Sequence, residues 1–397
     1  MKTLQNTLVV LAILLLISCA KTKENGTNKN KSVAPKEIPI VNVTKSYPKK
    51  EIVLQDIAEV EYVPLETRAN FLVDEKRVLT YASQNTIIIH NKKLGDILLF
   101  EGNGKVLNKF NRRGQSGREY TYGYKAFYDK NAKELFIVDV YGKRKRRLLV
   151  YDIEGKYKRT LFTELKNIRT LEDYDKGHCF LYEHYADISK KVKKKNLTPF
   201  ILLSKETGKL DTLKQIKLKD RVNQMCFKYF NKYNVAGVSF TGRHIIPLSE
   251  EMFVLNDYYA DTIFLFSKKQ QLMPLCVRKP PIKEHGETNI LTSIINISRK
   301  WLFLDVQLQE YDFKKRKAPK PTFLSVNRET NSINEYQLRN RDISETSFEV
   351  MPKTTLLNAG DLVELLEEGK LKGKLKAIAE NLKEDDNPVL MKVTLKK

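Results

Sequence analysis

Residues 148–162, LLVYDIEGKYKRTLF, show the clearest short-range pattern in the chain. Positions 148–153 hold apolar, β-branched and aromatic residues, which favour the pleated, half-buried surface of a strand. Gly155 tolerates the positive φ that a tight hairpin turn requires. Residues 156–161 then alternate charged with apolar or neutral side chains, as is typical of an exposed outer strand. The pattern therefore predicts a β-hairpin whose second strand lies at a sheet edge.

Hairpins of the same type recur along the chain, at 97–108, 148–162, 199–216, 262–277 and 322–338. Their turn positions, Gly104, Gly155, Gly208, Gln270 and Asn331, are separated by 51, 53, 62 and 61 residues. A four-stranded propeller blade takes ~40–50 residues, so each interval fits one blade with longer loops. The repeat predicts an all-β fold, a six-bladed β-propeller over residues 51–397. We expect the last strand, 388–396, to pair with the N-terminal strand near Ile52 and close the ring.

One segment near the C-terminus has a helical period instead. Leucine and isoleucine recur at three- and four-residue steps over 360–383, Asp361 can cap the start, and Pro388 stops the pattern beyond. We expect two short helices broken at Gly369 and packed against the ring. A helix that binds a membrane or a partner is the alternative.

Residues 1–18 combine an early cation, Lys2, with an apolar run over 8–17. The run is too short for a permanent membrane helix, which needs ~20 apolar residues, so it predicts a secretory signal peptide. Residues 16–19, Leu-Ile-Ser-Cys, resemble the bacterial lipobox, in which the cysteine becomes the lipidated first residue of the mature chain. Lipid on Cys19 would anchor the protein to a membrane without spanning it. An ordinary signal peptide with an incidental cysteine is the alternative.

Residues 19–50 are rich in Lys, Asn, Thr, Ser and Pro and contain few large apolar residues before Ile38. This composition predicts a flexible basic tether after the lipidated Cys19. Ala20 is not the aspartate that retains many bacterial lipoproteins at the inner membrane. The lipobox resemblance therefore implies a cell-envelope protein anchored to the outer membrane.

The formal net charge of +23 is concentrated in part in two basic runs, 143–147 and 190–195. Neither run is interleaved with aromatic residues and the chain carries an export signal, so we expect no nucleic-acid partner. Solvated loop tips are one interpretation of the runs. Attraction to an anionic envelope polysaccharide or to lipopolysaccharide phosphates is the other.

The cysteines and histidines offer no recognisable metal or catalytic motif. Beyond Cys19, the chain has Cys179, Cys226 and Cys276, each in an apolar context and at spacings that match no zinc pattern. Buried thiols are the simplest interpretation, and one disulfide plus a free thiol is the alternative. His178 and His184 share one strand face but would lie ~20 Å apart, too far to share a metal ion.

The loop 109–120, KFNRRGQSGREY, is the candidate binding site. It places two glycines among five charged residues, so backbone N–H groups and arginines could meet an anion, although it lacks the pattern of a phosphate-binding loop. The candidate ligand contacts are Arg112, Arg113, Arg118, Glu119 and Tyr120. Ordinary loop geometry is the alternative.

Four further segments, YVPLET at 62–67, GQSGREY at 114–120, DTIF at 261–264 and DDNPVL at 385–390, together with the lipobox, resemble a family of six-bladed β-propeller lipoproteins. The resemblance spans almost the whole mature chain. Relatives usually read Gly-x-Gly-Pro-x-Glu-Tyr in the loop, whereas this chain has Ser116-Gly117-Arg118 at its centre. The resemblance implies an NHL-like ring and an extracytoplasmic location, and it implies no established reaction.

We therefore expect a membrane-anchored binding module for a glycan, a peptide or a partner protein. The first alternative is an enzyme that acts on a sugar acid, lactone or glycan with calcium, because propeller lactonases gather Glu, Asn and Asp at the channel from different blades. Glu66, Asn256 and Asp257 are eligible for that role by residue type alone. The second alternative is a structural scaffold in an outer-membrane complex.

Overall fold

The computed structural model describes residues 37–141, 145–163, 168–183, 198–218, 225–229, 235–240, 242–282, 289–344, 347–348 and 354–396. The chain begins there with β1 (Ile40–Asn42), β2 (Lys49–Val53), the single-turn helix α1 (Leu54–Ile57) and β3 (Ala58–Pro64). The predicted tether extended to residue 50, and this part of the prediction is wrong. Strand β1 and the first two residues of β2 lie within it, and both strands pair with strands of the ring.

Blades one to three follow in order. Blade one contains β4 (Arg77–Ala82), β5 (Thr86–Asn91), β6 (Asp96–Glu101) and β7 (Val106–Asn111); blade two contains β8 (Gly123–Asp129), β9 (Glu134–Tyr141), β10 (Lys145–Asp152) and β11 (Tyr157–Thr163); blade three contains β12 (Ile168–Asp173), β13 (His178–Glu183), β14 (Phe200–Ser204) and β15 (Leu210–Thr212). Each is a four-stranded antiparallel sheet with its strands in sequence order.

A separate two-stranded hairpin, β16 (Met225–Tyr229) with β17 (Val235–Ser239), precedes blade four. Blade four contains β18 (Ile245–Pro247), β19 (Met252–Leu255), β20 (Thr262–Ser267) and β21 (Leu272–Lys279); blade five contains β22 (Ile290–Ile297), β23 (Trp301–Leu308), β24 (Thr322–Asn327) and β25 (Ile333–Arg339), with β26 (Ser347–Phe348) paired to β25. The N-terminal strands add a parallel fifth strand to each of these blades, β1 on β21 and β2 on β25.

Blade six joins the two ends of the described chain. It consists of β27 (Thr354–Leu357), β28 (Val389–Leu395) and β3, in that order. The register runs from Val389 opposite Pro64 to Leu395 opposite Ala58. The predicted fold, a six-bladed β-propeller closed by the C-terminal strand, is confirmed. The closing partner is β3, not the strand that contains Ile52, because that strand is β2 and lies on blade five.

Helices α2 (Ala359–Glu367) and α3 (Gly373–Ala379) lie between β27 and β28 and confirm the predicted helical pair. Gly369, between them, has a positive φ of 69°. Leu362, Leu371 and Leu375 are buried in the hydrophobic cluster that blades five and six share. The helical period therefore reflects packing against the ring.

The core of the molecule consists of layers between blades. In the part of the chain that the structure describes, six large hydrophobic clusters each draw residues from two adjacent blades. In β5, for example, Ile87 and Ile89 pack toward blade six, whereas Ile88 packs toward blade two. Because side chains alternate between the two faces of a strand, a blade buried on both faces needs apolar residues at consecutive positions. This explains the uninterrupted apolar strands in the sequence.

The predicted hairpin turns are confirmed at all five positions. Gly104, Gly155, Gly208, Gln270 and Asn331 have φ values of 90°, 80°, 74°, 59° and 57°. At Gly155 the turn also packs closely on the preceding blade, because a Cβ there would lie 2.5 Å from Cγ of Phe110. The repeated glycine therefore serves both the turn and the contact between blades.

The basic run 143–147 does not form a turn tip as a whole, so that interpretation is corrected. Its last three residues lie in β10, and Arg147 is only 3% exposed. Residues 143 and 144, and the second basic run at 190–195, lie outside the described residues. The cysteines Cys179, Cys226 and Cys276 are free thiols, two of them buried and Cys226 half-buried.

We expect Gly155→Ala to lower the free energy of unfolding by about 1–3 kcal/mol, because alanine is strained at positive φ and its Cβ would overlap Phe110. Urea denaturation measures the change. Gly117→Ala is the matched control, since Gly117 has open space around it. Equal effects of the two substitutions would contradict this account of the turn.

Candidate site in the central channel

The innermost strands of the blades contact one another around a central channel. Strands β4, β8, β12 and β18 are neighbours in this order, and β27 lies beside β4. Blades one to four line a cavity of about 720 Å³ in the channel. Central channels of this kind are common positions for ligand sites. The charged side chains in and beside this cavity therefore define the candidate site.

Three cations from different blades lie close enough to influence one another. Lys125 is on β8, Lys92 follows β5, and Arg243 precedes β18. Burial lowers the pKa of Lys125, the carboxylate of Glu172 on β12 raises it, and the charges of Lys92 and then Arg243 lower it further. We name these four residues the channel cluster. It contains three cations and one described carboxylate.

Arg243 is held toward the channel by the neighbouring blades. Its Nη1 donates a hydrogen bond of 3.4 Å to the carbonyl oxygen of Ile295 on β22. Burial lowers the pKa of its guanidinium, and Glu172 raises that pKa. Burial also lowers the pKa of Lys92. Since desolvation penalises each cation, the cluster is best suited to an anionic group such as a carboxylate, sulfate or phosphate.

His90, at the end of β5 and beside Lys92, is 1% exposed. Neither of its ring nitrogens has a hydrogen-bond partner among the described residues. Gly123 on β8 leaves room for the ring, because a Cβ there would lie 3.0 Å from Cε1 of His90. Burial, aided by Lys92 and opposed by Asp96, lowers the pKa of His90 to about 4. The imidazole is therefore neutral at pH 7 and adds polar atoms without charge.

A second buried carboxyl group lies on blade five. Asp305 on β23 accepts a hydrogen bond from Ser293 on β22. Burial raises the pKa of Asp305 to about 6, although hydrogen bonds from Ser293 and the backbone lower it. The hydroxyl of Tyr258 is near Ser293 and Asp305. This polar group belongs to the layer between blades four and five.

An ion pair crosses part of the cavity between two non-adjacent blades. Nζ of Lys130, after β8, lies 2.6 Å from Oε1 of Glu250, before β19. The Lys130 hydrogen bond and charge lower the pKa of Glu250. Both side chains are exposed, so the pair contributes little to stability. Because Lys130 and Glu250 both line the cavity, the pair partly closes the cavity between blades two and four.

The predicted ligand contacts all lie in the loop between blades one and two, but three of them bind the protein itself. Arg112 Nε donates to the carbonyl oxygen of Gly155 at 2.7 Å, and Arg113 Nη1 donates to that of Lys93 at 2.7 Å. Tyr120 is fully buried, and its hydroxyl accepts the Arg112 N–H and donates to the Gly95 carbonyl oxygen. These side chains fix the loop.

Of the remaining two predicted contacts, Arg118 is exposed and Glu119 is half-buried. The Glu119 carboxylate accepts the Ser116 N–H at 2.9 Å, and this hydrogen bond lowers the pKa of Glu119. The Arg118 guanidinium lies 5.6 Å from the ring centre of Tyr157 on the next hairpin. Of the five residues, Arg118 is therefore the one whose charge is best placed to meet a ligand. Ligand binding by the loop stays a prediction.

A buried ion pair supports the same loop from blade two. Arg147 Nη2 lies 3.1 Å from Oδ2 of Asp139 and donates a 2.6 Å hydrogen bond to the Glu119 carbonyl oxygen. Oδ1 of Asp139 accepts the N–H groups of Thr121 and Tyr122 at 3.1 and 2.9 Å. Because both ends of the pair also bind backbone groups, the pair fixes the entry into β8.

The residues eligible for a calcium site belong to separate hydrogen-bond networks. Glu66 binds Arg68 and the Val106 N–H. Asp257 accepts from the Tyr182 hydroxyl at 2.7 Å, and Asn256 donates toward backbone carbonyl oxygens in blades four and five. Within the described ranges, no group of three or more His, Cys, Asp or Glu side chains is placed to hold a metal ion.

Sequence reasoning missed the channel cluster. Its members come from four separate places in the chain, so no motif spacing connects them. The available signal was the presence of charged residues within the inner strands, such as Lys125 in β8 and Glu172 in β12. Only the closed ring brings them together.

The six sheets, arranged as a closed ring around a channel, define a six-bladed β-propeller. The sequence matches DUF4934, a domain of unknown function, over residues 37–394, and the chain belongs to that family. None of the curated proteins matches the chain. No described helix has the length and apolar character needed to cross a membrane.

The chain is similar to solved structures with which it shares little sequence. A protein from Bacteroides fragilis, described as a candidate exported protein, is 13% identical, with a TM-score of 0.58 over 90% of this chain and 100% of that one. A DUF4221 family member from Bacteroides vulgatus is 9% identical, with a TM-score of 0.45 over 86% of this chain and 98% of that one. The first similarity supports the fold alone.

The low pKa of His90 predicts a loss of stability in acid. An unfolded histidine has a pKa of about 6.5, so between pH 6.5 and about 4 the unfolded chain binds more protons than the folded chain. Acidification from pH 7 to 5 should cost about 2 kcal/mol through His90. Asp305 contributes with the opposite sign, because its raised pKa makes the folded chain the better proton binder below pH 6.

The measurement is therefore urea denaturation at pH 7 and 5 in the Asp305→Asn background. His90→Leu should remove most of the acid-induced loss, whereas the control His178→Leu, at a half-buried histidine, should retain it. An identical pH dependence in both double variants would contradict the assignment to His90.

Proposed function

We propose that this protein is an extracytoplasmic binding module whose channel holds an acidic group of a glycan or peptide ligand. The observation that carries the proposal is the channel cluster, in which Lys125 lines the cavity and the charges of Glu172, Lys92 and Arg243 all act on its buried ammonium. An anion there would offset the desolvation of three cations and form charge-assisted hydrogen bonds. His90 would contribute a neutral hydrogen-bonding group beside it.

The channel geometry favours a small or narrow ligand group. The cavity of about 720 Å³ can accept an oligosaccharide unit or a peptide side chain. The Lys130–Glu250 ion pair would restrict entry from its side of the cavity. The exposed Arg118 on the loop between blades one and two is the remaining candidate for contact with a larger partner.

The proposed location is the cell envelope, with the propeller attached through lipid on Cys19. The signal-like run over 1–18 and the lipobox-like residues 16–19 support it. The similar structure from Bacteroides fragilis, described as a candidate exported protein, is consistent with this location. Sorting to the outer membrane is part of the proposal because Ala20 follows Cys19.

We expect an array of acidic and neutral glycans and peptides to show binding only of ligands with carboxylate, sulfate or phosphate groups. Lys125→Met should weaken binding of the best array ligand by about 10- to 100-fold, the usual effect of losing a hydrogen bond to a charged group. Isothermal titration calorimetry measures the change.

The control is Lys176→Met, at an exposed lysine on blade three, which should bind like the original protein. Lys125→Met should keep the far-UV circular dichroism spectrum of the original protein, because methionine fills nearly the same space. Unchanged affinity in Lys125→Met, or selective binding of neutral ligands, would remove the channel cluster from the site.

For the anchor, Cys19→Ala should move the protein from the membrane fraction to the soluble fraction, because the acyl chains supply most of the membrane affinity. Fractionation and immunoblotting measure the shift, and Cys226→Ala is the control. Continued membrane association of Cys19→Ala would show that lipid on Cys19 is not the anchor.

A further inference from the structure

A second cavity lies outside the channel, between the β16–β17 hairpin and the long connection from β23 to β24. Its volume is about 820 Å³. Cys226 and Lys228 line it from the hairpin, and residues 309–313, 315 and 317–320 line it from the connection. Cys226 Sγ lies 3.4 Å from the carbonyl oxygen of Gln309, so the two walls are in contact. We call this cavity the lateral groove.

A basic loop forms one side of the lateral groove. Residues 314–317 read Lys-Lys-Arg-Lys, and all four side chains are exposed. Among the described residues none of the four forms an ion pair. Four adjacent like charges repel one another, and an extended or mobile loop would lower this electrostatic repulsion by separating them. The structure instead holds them in a tight turn.

Asp312 fixes that turn. Its carboxylate Oδ1 accepts the N–H groups of Lys314 and Lys315 at 2.9 and 3.1 Å. The backbones of Asp312 and Lys317 also exchange two hydrogen bonds, of 2.9 and 3.2 Å. Arg316 has a positive φ of 52°. Because Asp312 is occupied by backbone N–H groups, its charge does not neutralise a particular lysine side chain.

The lateral groove also has an aromatic wall. Tyr311 and Phe313 form an edge-to-face pair with ring centres 4.9 Å apart, and both side chains are half-buried. Ring surfaces of this kind offer apolar contact to the C–H faces of a sugar. Lys315 and Lys317 lie on the same stretch and supply positive charge beside the rings. Aromatic and cationic surfaces are therefore combined in one open groove.

We propose that the lateral groove binds a single chain of an anionic polysaccharide. A polymer with one negative charge on every sugar, or on every second sugar, would pair with several fixed cations at once. The aromatic wall would contact its sugar rings. A membrane surface suits this site less well, because Tyr311 and Phe313 are half-buried and so are poorly placed to insert among lipid chains. The site is formed by the hairpin and blade five, and it shares no residue with the channel cluster.

The test uses polygalacturonate as a carboxylated chain, heparin as a sulfated chain and dextran as a neutral control, with binding to the full chain measured by biolayer interferometry. The variant Lys314→Gln/Lys315→Gln/Lys317→Gln should bind the better of the two anionic chains about tenfold more weakly or worse. Its affinity should also depend less on salt, since fewer exposed charges are screened.

The matched control is Lys156→Gln/Lys269→Gln/Lys374→Gln, which changes the net charge equally at exposed lysines on blades two and four and on α3. It should bind within about twofold of the original protein, because each exposed charge away from the site contributes little. Tyr311→Ala should weaken the interaction that remains at high salt, because it removes one of the two rings that would contact the sugars.

Equal losses in the two triple variants would show a general charge effect and overturn the proposal. Binding of dextran as strongly as of the anionic chains would overturn it as well. If the groove variant loses binding to anionic phospholipid vesicles but keeps binding to both polysaccharides, the surface is a membrane contact and the polysaccharide assignment is wrong.

Discussion

The pairing of β28 with β3 is the constraint on which the rest of the structure depends. It joins Val389–Leu395 to Ala58–Pro64 through seven residue pairs and so connects the two ends of the described chain. Closing so long a loop costs conformational entropy before it yields contacts. The pairing stabilises the ring in turn, because blade six contributes buried side chains to the two hydrophobic clusters on its flanks. Without the pairing both layers would open, and the channel would lose its wall.

The closed ring also explains how three cations come to share one region. Lys92, Lys125 and Arg243 are remote in sequence, and each lies in or near a strand whose position is fixed by packing between blades. Lowered pKa values at all three show that the fold bears a desolvation cost there. Residues that reduce stability without an evident packing gain are typical of functional sites. The channel cluster is therefore the best supported site, ahead of the loop that the sequence suggested.

The local part of the fold could be predicted from the sequence. Alternation of side chains and turn residues identified the hairpins, and the positive φ at Gly155 followed from the same reasoning. The pairing of distant segments was less predictable from the sequence. Strands β1 and β2 have only three and five residues, and pairing with the edges of β21 and β25 makes them strands. Their pairing extends the ring into the expected tether.

The site was harder to predict, for a physical reason. A loop with glycines and arginines looks like an anion site in isolation, but Arg112 and Arg113 are used for carbonyl oxygens that only the folded chain presents. The sequence suggested that the basic run ending at Arg147 is solvated, but in the structure Arg147 is buried and paired with Asp139. Conversely, the run at 314–317 gives no sign in the sequence that Asp312 holds it in a fixed turn.

The most direct test of the channel site is the pKa of the Lys125 ammonium, measured by NMR on protein with isotope-labelled lysine. In the free protein it should lie below the ordinary value of about 10.4, because burial and two neighbouring cations disfavour the charge. Saturation with an acidic ligand should raise it, since a bound anion stabilises the ammonium. An ordinary pKa in the free protein, or no change when the acidic ligand is bound, would contradict the account.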